Sequence, residues 1–221
     1  MDPVGLAYAG ARRRMSALVL AATAAWHDPV PACPVWEVAD LMGHVVGVAA
    51  DIASGNLAGA ATDEWTEAQV RARRGSEPQA LLEEWSRVAP GIEAALGPSG
   101  AQAVFDLATH EHDLRSALRR PGARRSDAVE VAVGWLAGWL PRRLEGAAGA
   151  LVVEAGERRI EVEGPGQPTV LVLSPFELLR SVTGRRSRRQ LEALPWRGPA
   201  QPFVERWVGP PFAERATDLV E

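Results

Sequence analysis

Residues 105–118 read FDLATHEHDLRSAL, and the fold turns on how that stretch is read. Asp106 and His110 stand four apart, so on a helix both side chains lie on one face, a turn from each other. Working outward, Ala103, Leu107, His110, Leu114 and Ala117 recur at intervals of four, three, four and three, the period of a helix-bundle seam. His110 therefore takes a position where a core residue is expected. His112 competes for the same role, but residues two apart diverge by about 200° around a helix, which separates His112 and Glu111 from the Asp106 face. His112 is expected to be solvated or to support the site from behind, and Asp113 to lie at the surface or in a hydrogen bond.

The same periodicity recurs upstream. Residues 36–56, WEVADLMGHVVGVAADIASGN, carry an apolar stripe through Val38, Leu41, Val45, Val48 and Ile52, and His44 falls inside it. A helix is also predicted from about Val4 to Ala25. It is stopped by the prolines at 29, 31 and 34, which force an extended or turning backbone. A short helix or ordered loop is expected over 64–74. A third long helix is expected over 77–96, bent or broken at Pro90-Gly91, and a fourth over 101–118. Ser126-Asp127 caps a further helix toward Leu140. After Gly149 the pattern changes to LVVEAG, RRIEVEG and TVLVLS, short β-branched runs separated by Gly and Pro. Gly156-Glu157 is the expected hairpin turn, and Ser174-Pro175 opens a helix to about Val182. The expected architecture is an all-α helical bundle over residues 1–146 and a small α+β domain over 147–221.

Composition narrows the function classes. With 24 basic and 28 acidic residues the formal net charge is −4, which offers no overall field for nucleic acid or an anionic membrane, so neither is an expected partner. The apolar run Met15–Trp26 follows three arginines but is too short for the ~20 residues of a bilayer span, and it is read as helix rather than as signal peptide. The single cysteine, Cys33, excludes an intramolecular disulfide and fits a cytoplasmic address. It sits between prolines without a histidine nearby in sequence and is read as structural. All the basic residues are arginine, a usage that suggests a GC-rich genome.

Two seam histidines and a carboxylate can share one divalent ion, and three protein ligands with an open position are the pattern of a catalytic metal site. The competing reading is a pair of hydrogen-bonded core histidines with Asp106 as a surface charge, and spacing alone does not decide between them. The segments CPVWEVADLMGHVVG (33–47) and DLATHEHDLRSAL (106–118) resemble the mycothiol-dependent maleylpyruvate isomerase family, whose N-terminal domain is a DinB-like four-helix bundle. LLRSVTGRRS (178–187) is similar to a Gly-Arg-rich segment of its two-domain members. The resemblance implies that His44, Asp106 and His110 hold a divalent metal, zinc first, with nickel or iron as alternatives. Asp106 stands where the isomerase has glutamate. It further implies mycothiol as thiol cosubstrate, activated by the metal, which adds to a small electrophilic substrate. Rotation and elimination then give isomerisation, and stopping at the adduct gives transferase chemistry. An actinobacterial source agrees with the lysine-free composition. Arg185 and Arg186 are candidates for binding a carboxylate of the substrate or thiol, against a reading as a solvated basic helix end. The alternative function is a non-catalytic metal- or ligand-binding regulatory protein on the same fold.

Overall fold

Asp2 starts the first helix: its carboxylate accepts a hydrogen bond from the Val4 amide at 2.8 Å, and Pro3 occupies the first turn, where its missing N–H costs nothing. In the computed structural model, which describes residues 1–221, this helix is α1, Pro3–Leu20. It buries Val4, Ala7, Tyr8, Ala11, Met15 and Val19 at spacings of three and four. Helix α2, Val38–Ser54, opens with a reciprocal capping box between Glu37 and Asp40 and closes at Gly55, whose φ of +74° few side chains tolerate. Then follow α3, Asp63–Arg73, α4, Pro78–Ala95, and α5, Ala101–Ala117.

Helices α1, α4, α2 and α5 pack in a closed ring, α1 on α4 and α5, α2 on α4 and α5, with α3 laid against the outside of α2. This is the expected four-helix bundle. Within it Trp85 of α4 is fully buried and donates its indole N–H to the Tyr8 hydroxyl of α1 at 3.3 Å, so a large apolar group is buried with its polar atom satisfied. Helix α4 runs unbroken through Pro90, so of the expected bend or break the break does not occur, and Pro90 itself is exposed. Helix α5 is buried on nearly every side, including Thr109 and the whole of His110–Asp113. Its polar residues must therefore be satisfied inside the protein.

Beyond the bundle come α6, Asp127–Arg143, then β1, Leu151–Ala155, β2, Arg158–Val162, and β3, Thr169–Leu173. They are followed by α7, Pro175–Val182, α8, Arg188–Glu192, β4, Trp196–Arg197, and α9, Gln201–Trp207. The sheet order is β2-β1-β3-β4, with β1 antiparallel to β2 across the Gly156-Glu157 turn and parallel to β3. The chain divides into two compact units, Met1–Gly122 with Glu221, and Ala123–Val220. The division thus falls before α6, whereas the change of sequence pattern at 146 falls after it. The reason is that α6, helical in sequence, packs against α7 and β2. No helix is long and apolar enough to cross a membrane.

Candidate metal centre

Three side chains from two bundle helices converge where α2 faces α5. Nε2 of His44 lies 4.0 Å from Asp106 Oδ1, and Nε2 of His110 lies 3.5 Å from the same oxygen. The three donor atoms all fall within 4.8 Å of one another. Bonds of about 2.0–2.1 Å to a tetrahedral ion put its ligands ~3.4 Å apart, so the 3.5 Å edge already matches, the 4.0 Å edge is about 0.6 Å long, and the remaining edge is no longer than 4.8 Å. Both imidazoles are buried, while the Asp106 side chain is 36% exposed and forms the solvent-facing lip.

The far nitrogen of each imidazole is also engaged. Nδ1 of His44 is 2.8 Å from Gln69 Oε1, and the Gln69 amide nitrogen donates to Asp51 at 2.6 Å. Because that amide nitrogen faces a carboxylate, its oxygen is the atom left for His44, so His44 donates from Nδ1 and turns a lone pair at Nε2 toward Asp106. Nδ1 of His110 is 3.1 Å from Asp113 Oδ2, a carboxylate–imidazole pair that likewise turns Nε2 toward Asp106. Such outer hydrogen bonds fix the ring and raise the basicity of the ligating nitrogen. A pair of histidines present only to fill a core would not need both Nε2 atoms aimed at one carboxylate.

Close packing puts Gln69 in place. Helix α3 approaches α2 over Gly43 and Gly47, and a Cβ at Gly47 would stand 2.5 Å from Gln69 Cβ and 2.7 Å from its Cγ. Only glycine at 47 permits that approach. From the other side, the loop before α2 folds as a short hairpin, with Val30 N–H donating to Trp36 O at 2.9 Å and Pro29 bridged to Glu37. It holds the Trp36 ring 5.3 Å from that of His44 and 6.1 Å from that of His110, an apolar wall beside the donors.

The electrostatics ask for a cation. Burial opposes a charge on His110, but Asp106 and Asp113 outweigh it and raise its pKa to about 9. Without an ion the cluster thus holds a proton at neutral pH, in a site with two carboxylates and room for positive charge. Burial also pushes Tyr8 up to about 12, with Asp106 contributing in the same direction, so its hydroxyl stays protonated.

The structure brings His44, Asp106 and His110 together as the spacing predicts, and departs from the sequence reading elsewhere. His112 is buried rather than solvated, and Asp113, of its two expected roles, takes the hydrogen bond, buried completely behind His110. Cys33, eighty residues away in sequence, lies with Sγ 3.7 Å from Asp113 Oδ2. Arg185 and Arg186 belong to the second unit and are buried at 8% and 7% exposure, not solvated. The carboxylate that Arg186 meets is internal: two of its nitrogens donate to Glu177 at 2.7 and 2.9 Å, and Arg185 donates to the Thr183 carbonyl. Gln69 was missed, although two glycines four apart on α2 are a sequence mark of close approach.

Comparison with known proteins bears on the fold and the family. Two solved structures share the fold, a histidine-to-alanine variant of mycothiol-dependent maleylpyruvate isomerase and the isomerase itself. The first has a TM-score of 0.58 at 16% identity over 82% of this chain and 88% of that one. The second has a TM-score of 0.52 at 16% identity over 83% and 88%. No curated protein sequence matches. A family model described as the mycothiol maleylpyruvate isomerase N-terminal domain matches residues 8–133, more than half of the chain. The chain belongs to the mycothiol maleylpyruvate isomerase N-terminal domain family.

Proposed function

We propose that the protein is a metal- and mycothiol-dependent isomerase or thiol transferase acting on a small electrophilic substrate, with His44, Asp106 and His110 holding a divalent ion, zinc first. The observation that carries this reading is the convergence of two Nε2 atoms and one carboxylate oxygen, each imidazole oriented by a partner on its other nitrogen. Aspartate in place of glutamate still reaches the donor set, with Oδ1 of Asp106 3.5 Å from His110 Nε2 and 4.0 Å from His44 Nε2. The ion, when bound, supplies positive charge that converts a thiol at its open position to the nucleophilic thiolate.

The chain's own groups do the rest. Gln69 and Asp113 keep both Nε2 atoms facing one point, which keeps the donor set oriented before an ion displaces the proton on His110. Trp36 excludes water on one side, and the exposed lip at Asp106 leaves the approach for thiol and substrate on the other. A protein working with a low-molecular-weight thiol belongs in the reducing cytoplasm, the address we assign. Arg185 and Arg186 enter this reading as framework residues of the second unit, since Arg186 is paired to Glu177.

Thermal shift tests the proposal. At a hundredfold excess over its dissociation constant, mycothiol would add about 2.7 kcal/mol of stability, or roughly 5–10 °C in melting temperature for a chain of this size. The shift is expected only with zinc present and not in His44→Ala. A zinc-loaded protein that mycothiol does not shift would exclude the thiol and leave the regulatory metal-binding alternative.

A further inference from the structure

Asp113 and His110 take part in a second convergence of donors. Sγ of Cys33, Oδ2 of Asp113 and Nδ1 of His110 lie within 4.8 Å of one another, on the side of the imidazole ring opposite Asp106. The nitrogen–oxygen edge is 3.1 Å and the sulfur–oxygen edge 3.7 Å. Bonds of about 2.0–2.2 Å to nitrogen and oxygen and about 2.3 Å to sulfur give tetrahedral edges of ~3.4 and ~3.6 Å. Two of the three edges therefore stand within a few tenths of an ångström of ligating distances, and the sulfur–nitrogen edge is no longer than 4.8 Å.

The surroundings keep them there. Cys33 is fixed at the tip of the short hairpin, its amide donating to Val30 O at 2.9 Å and its carbonyl accepting from Trp36 at 2.8 Å. Asp113 has no solvent exposure, whereas Cys33 is half-buried, which leaves an approach from solvent on the thiol side. If Asp113 served only to orient His110, one oxygen–nitrogen hydrogen bond would suffice. A thiol brought to the same oxygen gives instead a mixed nitrogen, oxygen and sulfur set, which suits zinc and other thiophilic divalent ions.

We propose that Cys33, Asp113 and Nδ1 of His110 form a second divalent-metal site, joined to the first through the His110 ring as a bridging imidazolate. Filling it displaces two protons, one from the Cys33 thiol and one from the His110 nitrogen that faces Asp113. The charges then balance: two divalent cations face the carboxylates of Asp106 and Asp113, the Cys33 thiolate and the imidazolate. Only the bridging rests on the proposed first site; the three donors of the second stand without His44 or Asp106. A thiolate held this way would be shielded from alkylation and would bring a soft ligand close to the reacting centre.

Cobalt(II) distinguishes the two sites, because only a thiolate ligand gives an intense sulfur-to-cobalt charge-transfer band in the near ultraviolet. The wild-type chain is expected to bind two equivalents, with the band present at saturation. Cys33→Ser should bind one equivalent without the band, and His44→Ala should keep the band while losing the other ion. Zinc at two equivalents should also slow alkylation of Cys33 by iodoacetamide at least about tenfold, since the free thiolate is the reacting form. Saturation at one equivalent without a band, in a protein whose ion is lost in His44→Ala, would overturn the second site and leave the first standing. No cobalt bound at all would overturn both, and a band in His44→Ala with no other ion in the wild type would support the second site and remove the first.

Discussion

Replacing Gln69 with leucine removes the acceptor for the Nδ1–H of His44 while keeping most of the side-chain volume. Gln69 is 3% exposed and the contact is 2.8 Å, so no water takes the vacated place without a rearrangement of α3. A buried donor left unsatisfied costs about 1–3 kcal/mol. In the ion-free protein the imidazole can turn to recover a partner, but with Nε2 committed to an ion Nδ1 must face leucine. Most of the cost therefore falls on the loaded state. An affinity loss of roughly 10–100-fold follows, the range seen when outer partners of ligating histidines are removed. Competition against a chromophoric zinc chelator measures it, with the melting temperature of the ion-free protein as the control for folding. Gly47→Ala should reproduce the loss with Gln69 intact, because its Cβ would meet Gln69 at 2.5 Å and push α3 outward. A Gln69→Leu protein that binds zinc within twofold of wild type, with an unchanged ion-free fold, would refute the claim that α3 organises the site.

Other consequences concern charge inside α5. Glu111 is 1% exposed and ion-paired to Arg14 at 2.6 Å and Arg115 at 2.9 Å, so Glu111→Gln leaves two guanidinium groups facing a neutral amide. Breaking a buried pair costs 3–5 kcal/mol; the partial exposure of Arg14 reduces this to about 2–3 kcal/mol, seen as a melting temperature roughly 5–10 °C lower. His110 in the ion-free protein should titrate near pH 9 by imidazole NMR. Since that value lies above the ordinary 6.5, the stability it contributes, at most about 3 kcal/mol, is complete below pH 6.5 and lost as pH rises through 9. Urea unfolding at pH 6 and pH 10, with His110→Gln as the reference, checks the sign. The same proton competes with the ion, so zinc affinity should rise with pH up to about 9.

Much of this fold is legible in the chain because apolar spacing and breakers agree: the stripes of α1, α2 and α4, the prolines after α1, and the β-branched runs from Leu151 onward. The shared face of Asp106 and His110 is equally legible, since a four-residue spacing fixes it and a seam position turns His110 inward; His44 joins them through the resemblance to the family. What stays hidden is partnership across sequence distance. Helix α5 is buried nearly all round, so its period carries no sign that His112 and Asp113 are also inside. Cys33 lies in a hairpin loop, where no periodicity tells which way a side chain points. The fate of α6 is hidden for the same reason: a helical pattern does not say which neighbour the helix packs on. The arginines of GRR read in the sequence as candidates for a carboxylate of the substrate or thiol, and only the fold reveals that Arg186 has the internal Glu177 as a partner.

The most direct test of the account is the ion content of the Cys33→Ser protein, in which only the site of His44, Asp106 and His110 is counted. After zinc loading and dialysis against a weak chelator, elemental analysis should find one ion per chain, and none when His44→Ala or His110→Ala is added. A folded Cys33→Ser protein without zinc, or one whose zinc survives both histidine substitutions, would contradict the central claim.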